Sequence, residues 1–210
     1  MKGIDIASYQ HNVNFQKVKN SGIEIVYIKA TEGITYINPL ITLQYGGAKA
    51  AGLKIGFYHY LRANNPISEA KHFLSVIEGI SSDCKYAIDV EETLGQTITQ
   101  ISSNVRLFAN YLILKGKEVC IYTGDYFYSN SLDNTVKKIP LWVAHYGVSK
   151  PDAINYIGFQ YSDSGNVDGI NGLVDLDKFS SDIFITSKIV SVNSSESVNL
   201  VIKTFQHATT

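Results

Sequence analysis

Short apolar runs of strand length alternate with longer amphipathic stretches along the first two thirds of the chain. Strands are predicted over 3–8, 23–30, 54–60, 85–91 and 118–123, where Ile, Val, Tyr and Phe dominate. Helical patterning follows each of them. It is weak over 13–20, where Phe15 and Val18 share a face, and clearer over 40–51, which stops at Gly52. Pro66 stands at a first helical turn, and that pattern runs to about Gly79. The longest amphipathic stretch is 97–114, closed by Gly116, and a short helix is predicted over 125–132. Beyond it the alternation changes. Three strand-like runs, 140–146, 156–161 and 173–176, are joined by links too short or too rich in glycine for full helices.

Strand–helix alternation implies a largely parallel sheet with right-handed crossovers. The expected fold is therefore α/β: an irregular TIM-like barrel with five strand–helix units followed by three strands. Such a domain falls short of the roughly 250 residues of eight full units because its last helices are missing. Near residue 189 the pattern changes again. Ser191, Asn193, Ser194, Ser195 and Ser197 form a linker-like stretch, and Val198, Val201, Ile202 and Phe205 follow at helical spacing. The expected organisation is a domain over 1–187, a linker over 188–197, and over 198–210 either a short amphipathic tail or the start of a truncated module.

Composition narrows the function by exclusion. A formal net charge of −1 gives no basic surface for nucleic acid. No apolar run reaches membrane-spanning length, so no membrane insertion is expected. Met1-Lys2-Gly3 runs directly into the first strand and no signal peptide is expected, so a substrate outside the cell would require an export route that the sequence does not encode. Cys84 and Cys120 border or lie in predicted buried strands and are expected to be free core thiols. No His or Cys spacing suits a metal, and neither a metal nor a cofactor is expected.

The chemistry concentrates where strands end. Lys85-Tyr86-Ala87-Ile88-Asp89-Val90-Glu91-Glu92 opens as a buried strand and finishes in carboxylates. Alternate strand residues share a face, so Asp89 and Glu91 point the same way with Cβ atoms roughly 6–7 Å apart. At that range each carboxyl raises the pKa of the other, or the two flank one substrate bond. A lone Asp-x-Glu is commonplace, but polar groups recur at equivalent positions. They are Asp5 and Ser8, Lys29 and Glu32, Tyr58 and His59, Tyr122, Trp142 and His145, Gln160 and Asp175. In an α/β barrel these gather on the C-terminal face, where the chemistry of that fold resides.

Seven of these blocks together resemble glycoside hydrolase family 25 lysozymes, the Chalaropsis-type N-acetylmuramidases, over roughly residues 2 to 187. They are Gly3-Ile4-Asp5-Ile6-Ala7-Ser8-Tyr9-Gln10, Tyr27-Ile28-Lys29-Ala30-Thr31-Glu32-Gly33, Gly56-Phe57-Tyr58-His59-Tyr60, Ala87-Ile88-Asp89-Val90-Glu91, Pro140-Leu141-Trp142-Val143-Ala144-His145-Tyr146, Phe159-Gln160-Tyr161 and Gly169-Ile170-Asn171-Gly172-Leu173-Val174-Asp175. Each is weak alone; seven in order are specific. One departure is Asp177, where the family often carries Asn, and a structural role is expected for it. The resemblance leans toward clostridial enzymes and implies a peptidoglycan hydrolase, either a phage endolysin released through a holin lesion or a bacterial autolysin. Its partner would be peptidoglycan glycan strands, with a wall-binding module possible beyond residue 210.

By that resemblance Glu91 is the general acid, and Asp89 stays ionised to orient the substrate's acetamido group or to stabilise positive charge on the ring. Asp5 and Asp175 complete the expected catalytic set. Either the acetamido oxygen attacks, with retention, or a carboxylate such as Asp175 or Asp5 activates water, with inversion. Tyr58, Tyr122, Trp142, Tyr146, Gln160, Lys29 and Glu32 are the expected substrate-binding residues, the aromatics as cleft walls. Lys29 and Glu32 suit a structural ion pair equally well. A catalytically silent glycan-binding module would be expected to lack Glu91 or Asp89. A chitinase-like site would carry acids where Lys85 to Ile88 stand.

Overall fold

The computed structural model describes residues 1–186. The strands are β1 (Lys2–Ile6), β2 (Ile25–Glu32), β3 (Tyr36–Ile37), β4 (Lys54–Tyr60), β5 (Tyr86–Asp89), β6 (Val119–Gly124), β7 (Leu141–Ala144), β8 (Tyr156–Gly165) and β9 (Val174–Phe179). The helices are α1 (Phe15–Asn20), α2 (Ile41–Ala50), α3 (Pro66–Val76), α4 (Ile98–Leu114) and α5 (Asp125–Ser131). The sheet runs β1-β9-β8-β7-β6-β5-β4-β2 and closes through β1–β2, so eight strands form an α/β barrel. The five strand–helix units and the helix-poor final third lie where the sequence pattern puts them. The expected linker over 188–197 and tail over 198–210 lie outside the described residues.

Two features depart from a parallel barrel. β3 pairs antiparallel with β2 and stands outside the closed ring. β9 runs antiparallel to both β1 and β8. The link 166–173 is shorter than the dozen or so residues a parallel crossover needs, so the chain returns down the barrel instead. That reversal matters for chemistry. Asp175 sits near the start of β9, opposite Asp5 in the β1 register. Only a reversed strand brings its first residues to the end where the other strands finish.

Local signals set the helix ends. The Asn65 side chain accepts from the backbone N–H groups of Ile67 and Ser68 ahead of Pro66 at the start of α3. Thr97 and Gln100 form a capping box on α4. The core has two zones. Ile4, Ile28, Phe57, Phe73, Ile88, Phe108 and their neighbours fill the space between strands and helices. Inside the barrel Tyr27, Trp142 and Phe179 form an aromatic plug with Cys84 and Cys120 beside it. Both cysteines are free and buried, and burial pushes the Cys120 thiol up to about 12. Among the described residues no helix is long and apolar enough to cross a membrane.

The plug is held tightly. Tyr27 and Trp142 ring centroids lie 4.7 Å apart, Trp142 and Phe179 5.3 Å apart, and the Tyr27 hydroxyl donates to the Lys85 carbonyl at 2.7 Å. Glycines make room for it: a Cβ on Gly56 would stand 2.3 Å from the Tyr27 ring. Gly56→Ala is therefore expected to destabilise the barrel by about 1–3 kcal/mol despite the usual gain from replacing a strand glycine. Urea unfolding checks this, and an unchanged midpoint would mean that Tyr27 moves freely.

Candidate active site

The strand ends enclose a pocket of about 250 Å³. Asp5, Asp89, Glu91 and Asp175 all line it, as do Lys29, Tyr58, Tyr122, Trp142, Tyr146 and Gln160. Of the sequence-predicted set only Glu32 stays out. It pairs with Lys29 at 2.7 Å and with Arg62 at 2.6 Å, and Arg62 reaches Glu92. Its burial works against ionisation, but hydrogen bonds from Lys29 and Arg62 outweigh this and hold its carboxyl below the usual range. Glu32 thus orients Lys29, whose ammonium lies 4.7 Å from the Tyr60 ring centroid. A larger recess of about 400 Å³, lined by Leu74, Ile77, Tyr111 and Lys115, opens on the outer helices, away from the strand ends.

Trp142 is placed differently from a cleft wall. It is 1% exposed and packs among Tyr27, Tyr122 and Phe179, so it forms the floor of the pocket. Its Nε1–H donates to Asp177 Oδ1 at 2.9 Å. Tyr58 and Tyr146 stand higher, and Tyr9, Gln10 and Tyr60 complete the lining. His59 faces away from the pocket. It is fully buried against Phe108, with Thr31 Oγ1 at 2.7 Å and Glu69 Oε2 at 2.8 Å.

A hydrogen-bond chain fixes one wall. Tyr122 and Tyr146 both donate to Gln160 Oε1, at 2.7 and 2.5 Å, and Gln160 Nε2 donates to Asp5 Oδ2 at 2.7 Å. With its carbonyl engaged twice, the Gln160 amide has one orientation, and Asp5 has a defined rotamer. Asp175 stands opposite Asp5, and Asp177 follows it on the same strand face. Burial lifts Asp5 well above the usual carboxylate range, and the charges of Asp177 and Asp175 add to this. Burial likewise brings Asp175 to about 6.

Asp89 and Glu91 form the other wall. Asp89 is 4% exposed, and its Oδ1 is buried without a hydrogen-bond partner. Burial, and then the charge of Glu91, push Asp89 well above the carboxylate range. Glu91 lies beyond the end of β5 and is more open. The pocket walls raise it too, while hydrogen bonding with Asp89 holds the rise back. Both carboxyls are thus shifted upward from the ordinary carboxylate range, Asp89 chiefly by burial and by Glu91, and Glu91 chiefly by burial.

Asp125, His145 and Asp152 each offer a ligand atom within 4.8 Å of the others. The Asp125 oxygens are already occupied: they accept from His145 Nδ1 at 2.8 Å and from the backbone N–H groups of Asp152 and Ala153 at 2.5 and 3.1 Å. The cluster ties the 145–155 loop to the start of α5.

Four residues in or beside the pocket stand outside the expected site set. Tyr60 and Asp177 lie two residues beyond Tyr58 and Asp175, where strand alternation alone would have found them. Tyr9 and Gln10 sit in the first block; the Gln10 side chain folds back to accept from the Ala7 N–H at 2.9 Å.

Comparison with known proteins agrees with this geometry. The model of the Glycosyl hydrolases family 25 matches residues 4–170. An autolytic lysozyme of Clostridium acetobutylicum is 62% identical over 191 residues, 90% of this chain and 59% of that protein. The chain thus spans less than two thirds of that relative's length. The N,O-diacetylmuramidase of Chalaropsis sp is 28% identical across 83% of this chain and 96% of its own. The crystal structure of a bacterial lysozyme from Streptomyces coelicolor superposes with a TM-score of 0.79 at 32% identity, covering 85% of this chain and 91% of that one. A barrel ringed by strand-end carboxyls, and a family match that runs from β1 to the edge of β9, place this chain in glycosyl hydrolase family 25.

Proposed function

We propose that the protein is a peptidoglycan hydrolase, an N-acetylmuramidase that cleaves the β-1,4 bond between N-acetylmuramic acid and N-acetylglucosamine. The observation that carries this reading is the Asp89–Glu91 pair: one buried carboxyl with an unpartnered oxygen beside a second, more open carboxyl at the pocket rim. A 2-acetamido sugar supplies what Asp89 lacks. Its amide N–H donates to Asp89, which favours the ionised form there and leaves the proton on Glu91. The acetamido oxygen then attacks the anomeric carbon, the glycosidic C–O bond breaks, and Glu91 gives its proton to the leaving oxygen. Water next opens the cyclic intermediate. Glu91, now a carboxylate, takes the proton of that water, and the configuration is retained. Asp5 and Asp175 face the ring from the opposite wall, and Lys29, Tyr58 and Tyr146 help to position it.

Beyond this core, the reading extends to a cell-wall role as a phage endolysin, made in the host cytoplasm and released through a holin lesion. An autolysin is the alternative. A wall-binding module is proposed to follow residue 210.

Mass spectrometry of the reducing ends released from purified peptidoglycan tests the bond. New ends of N-acetylmuramic acid support the proposal. New ends of N-acetylglucosamine make the enzyme a glucosaminidase. Binding without release would leave a silent wall-binding domain.

A further inference from the structure

The catalytic pocket is not the end of the cleft. A second, more open groove of about 570 Å³ adjoins it, against about 250 Å³ for the pocket, and Glu91 and Tyr146 line both. We propose that this groove binds the leaving-side sugars of the glycan strand and that Tyr126 is their stacking platform. The assignment rests on Glu91 being the proton donor.

Three observations carry it. First, Glu91 stands at the junction, so the oxygen it protonates must lie there too, with one sugar on each side. Second, the two sides differ in chemistry. The pocket holds Asp5, Asp89 and Asp175 above a Trp142 floor and suits the ring that develops positive charge. Apart from the shared Glu91, the groove's acids are Asp152 and Asp125, and the Asp125 oxygens are engaged by His145 and two backbone N–H groups, so it lacks the pocket's cluster of Asp5, Asp89 and Asp175. The sugar whose anomeric carbon reacts therefore occupies the pocket, and the departing sugar occupies the groove.

Third, the groove offers an aromatic ring on a fixed mount. Tyr126 is 80% exposed, yet it is the second residue of α5, whose first residue, Asp125, is clamped to the 145–155 loop. Asn130 Nδ2 donates to the Tyr126 carbonyl at 2.8 Å, which braces the same turn. A solvent-facing tyrosine on a braced turn presents a ring face at little entropic cost, and pyranose rings pack on such faces. His145, 32% exposed at its side chain, adds a polar edge beside it. The strand then runs from the pocket, over Glu91, toward α5, with its reducing end on the α5 side.

The test uses the whole chain and peptide-free glycan oligomers of alternating N-acetylmuramic acid and N-acetylglucosamine, four and six sugars long. Tyr126→Ala should raise KM on the hexasaccharide roughly tenfold, about 1.4 kcal/mol, with kcat little changed, because the lost contact is made equally in ground and transition states. It should also move the preferred cleavage site toward the reducing end, since fewer sugars are held beyond the cut. Tyr126→Phe keeps the ring and should cleave like the wild type. A Tyr126→Ala variant with wild-type KM and an unchanged product pattern overturns the assignment alone. A wild-type protein that leaves both oligomers whole overturns the muramidase reading and this assignment with it.

Discussion

Glu91→Gln should lower kcat on peptidoglycan by a factor between about 10² and 10⁴, with binding and fold intact. Loss of a positioned general acid has effects of that size. Gln keeps the shape and the hydrogen-bonding carbonyl but cannot release a proton to the leaving oxygen. The residue lies at the open rim, so no core contact is lost. Asp89→Asn should also be steep, for a different reason. Its amide cannot carry the charge that faces the acetamido N–H, and an amide N–H pointed there repels that donor. The wild-type pH profile ties the two together. Glu91 is raised, so the basic limb of kcat/KM should lie above the usual glutamate range and should reflect loss of its proton. Turnover of cell-wall suspensions, pull-down on insoluble wall and thermal unfolding, measured on the same preparations, decide the matter. A folded Glu91→Gln variant with wild-type turnover would remove Glu91 from the acid role. Full activity in Asp89→Asn would move charge stabilisation to Asp5 or Asp175.

How far the sequence reaches is clear from individual residues. Asp5, Tyr58, Asp89 and Gln160 were legible as pocket residues because a strand has period two and a barrel has one chemical end; each lines the pocket. Trp142 and Glu32 were harder. Period two says that Trp142 faces inward, but not how deep it lies, and depth comes from the glycines opposite: Gly158 leaves the space its ring fills. Glu32 was drawn away by Arg62, a partner thirty residues on whose position follows from the β4–α3 link. The reversal of β9 was hidden for a related reason. Apolar alternation is blind to strand direction, and only the length of link 166–173 bears on it. The second groove has no sequence signature at all, because it arises where α5 meets the 145–155 loop.

Asp177→Asn should stabilise the protein at neutral pH and flatten its pH dependence. Asp5, Asp175 and Asp177 occupy one patch of the β1–β9 ladder, and the side chains that donate to Asp5 and Asp177 are neutral, Gln160 and Trp142. Asp177 is fully buried, and its Oδ2 has no partner. Burial pushes Asp177 and Asp5 well above the carboxylate range, and Asp175 to about 6. Groups raised on folding bind more protons in the native than in the unfolded state. Their contribution is complete below the unfolded value near 3.9 and is lost as pH climbs through the folded one. For Asp175 that window runs from about 4 to about 6. Asp177, Asp5 and Asp89 continue the same trend at higher pH, whereas Glu32, held low, acts oppositely and only in acid. Stability should therefore fall between pH 5 and pH 8. An Asn at 177 still accepts the Trp142 N–H, and its own N–H groups face Asp5 at every pH. Relieving one buried carboxyl should return about 1–3 kcal/mol at pH 8 and little at pH 5. Urea unfolding at both values is the measurement. A variant weaker than wild type at pH 8, or one with an undiminished slope, would show that the Asp177 charge is accommodated by a donor near its free oxygen. The neutral-acid account of this patch would then fail.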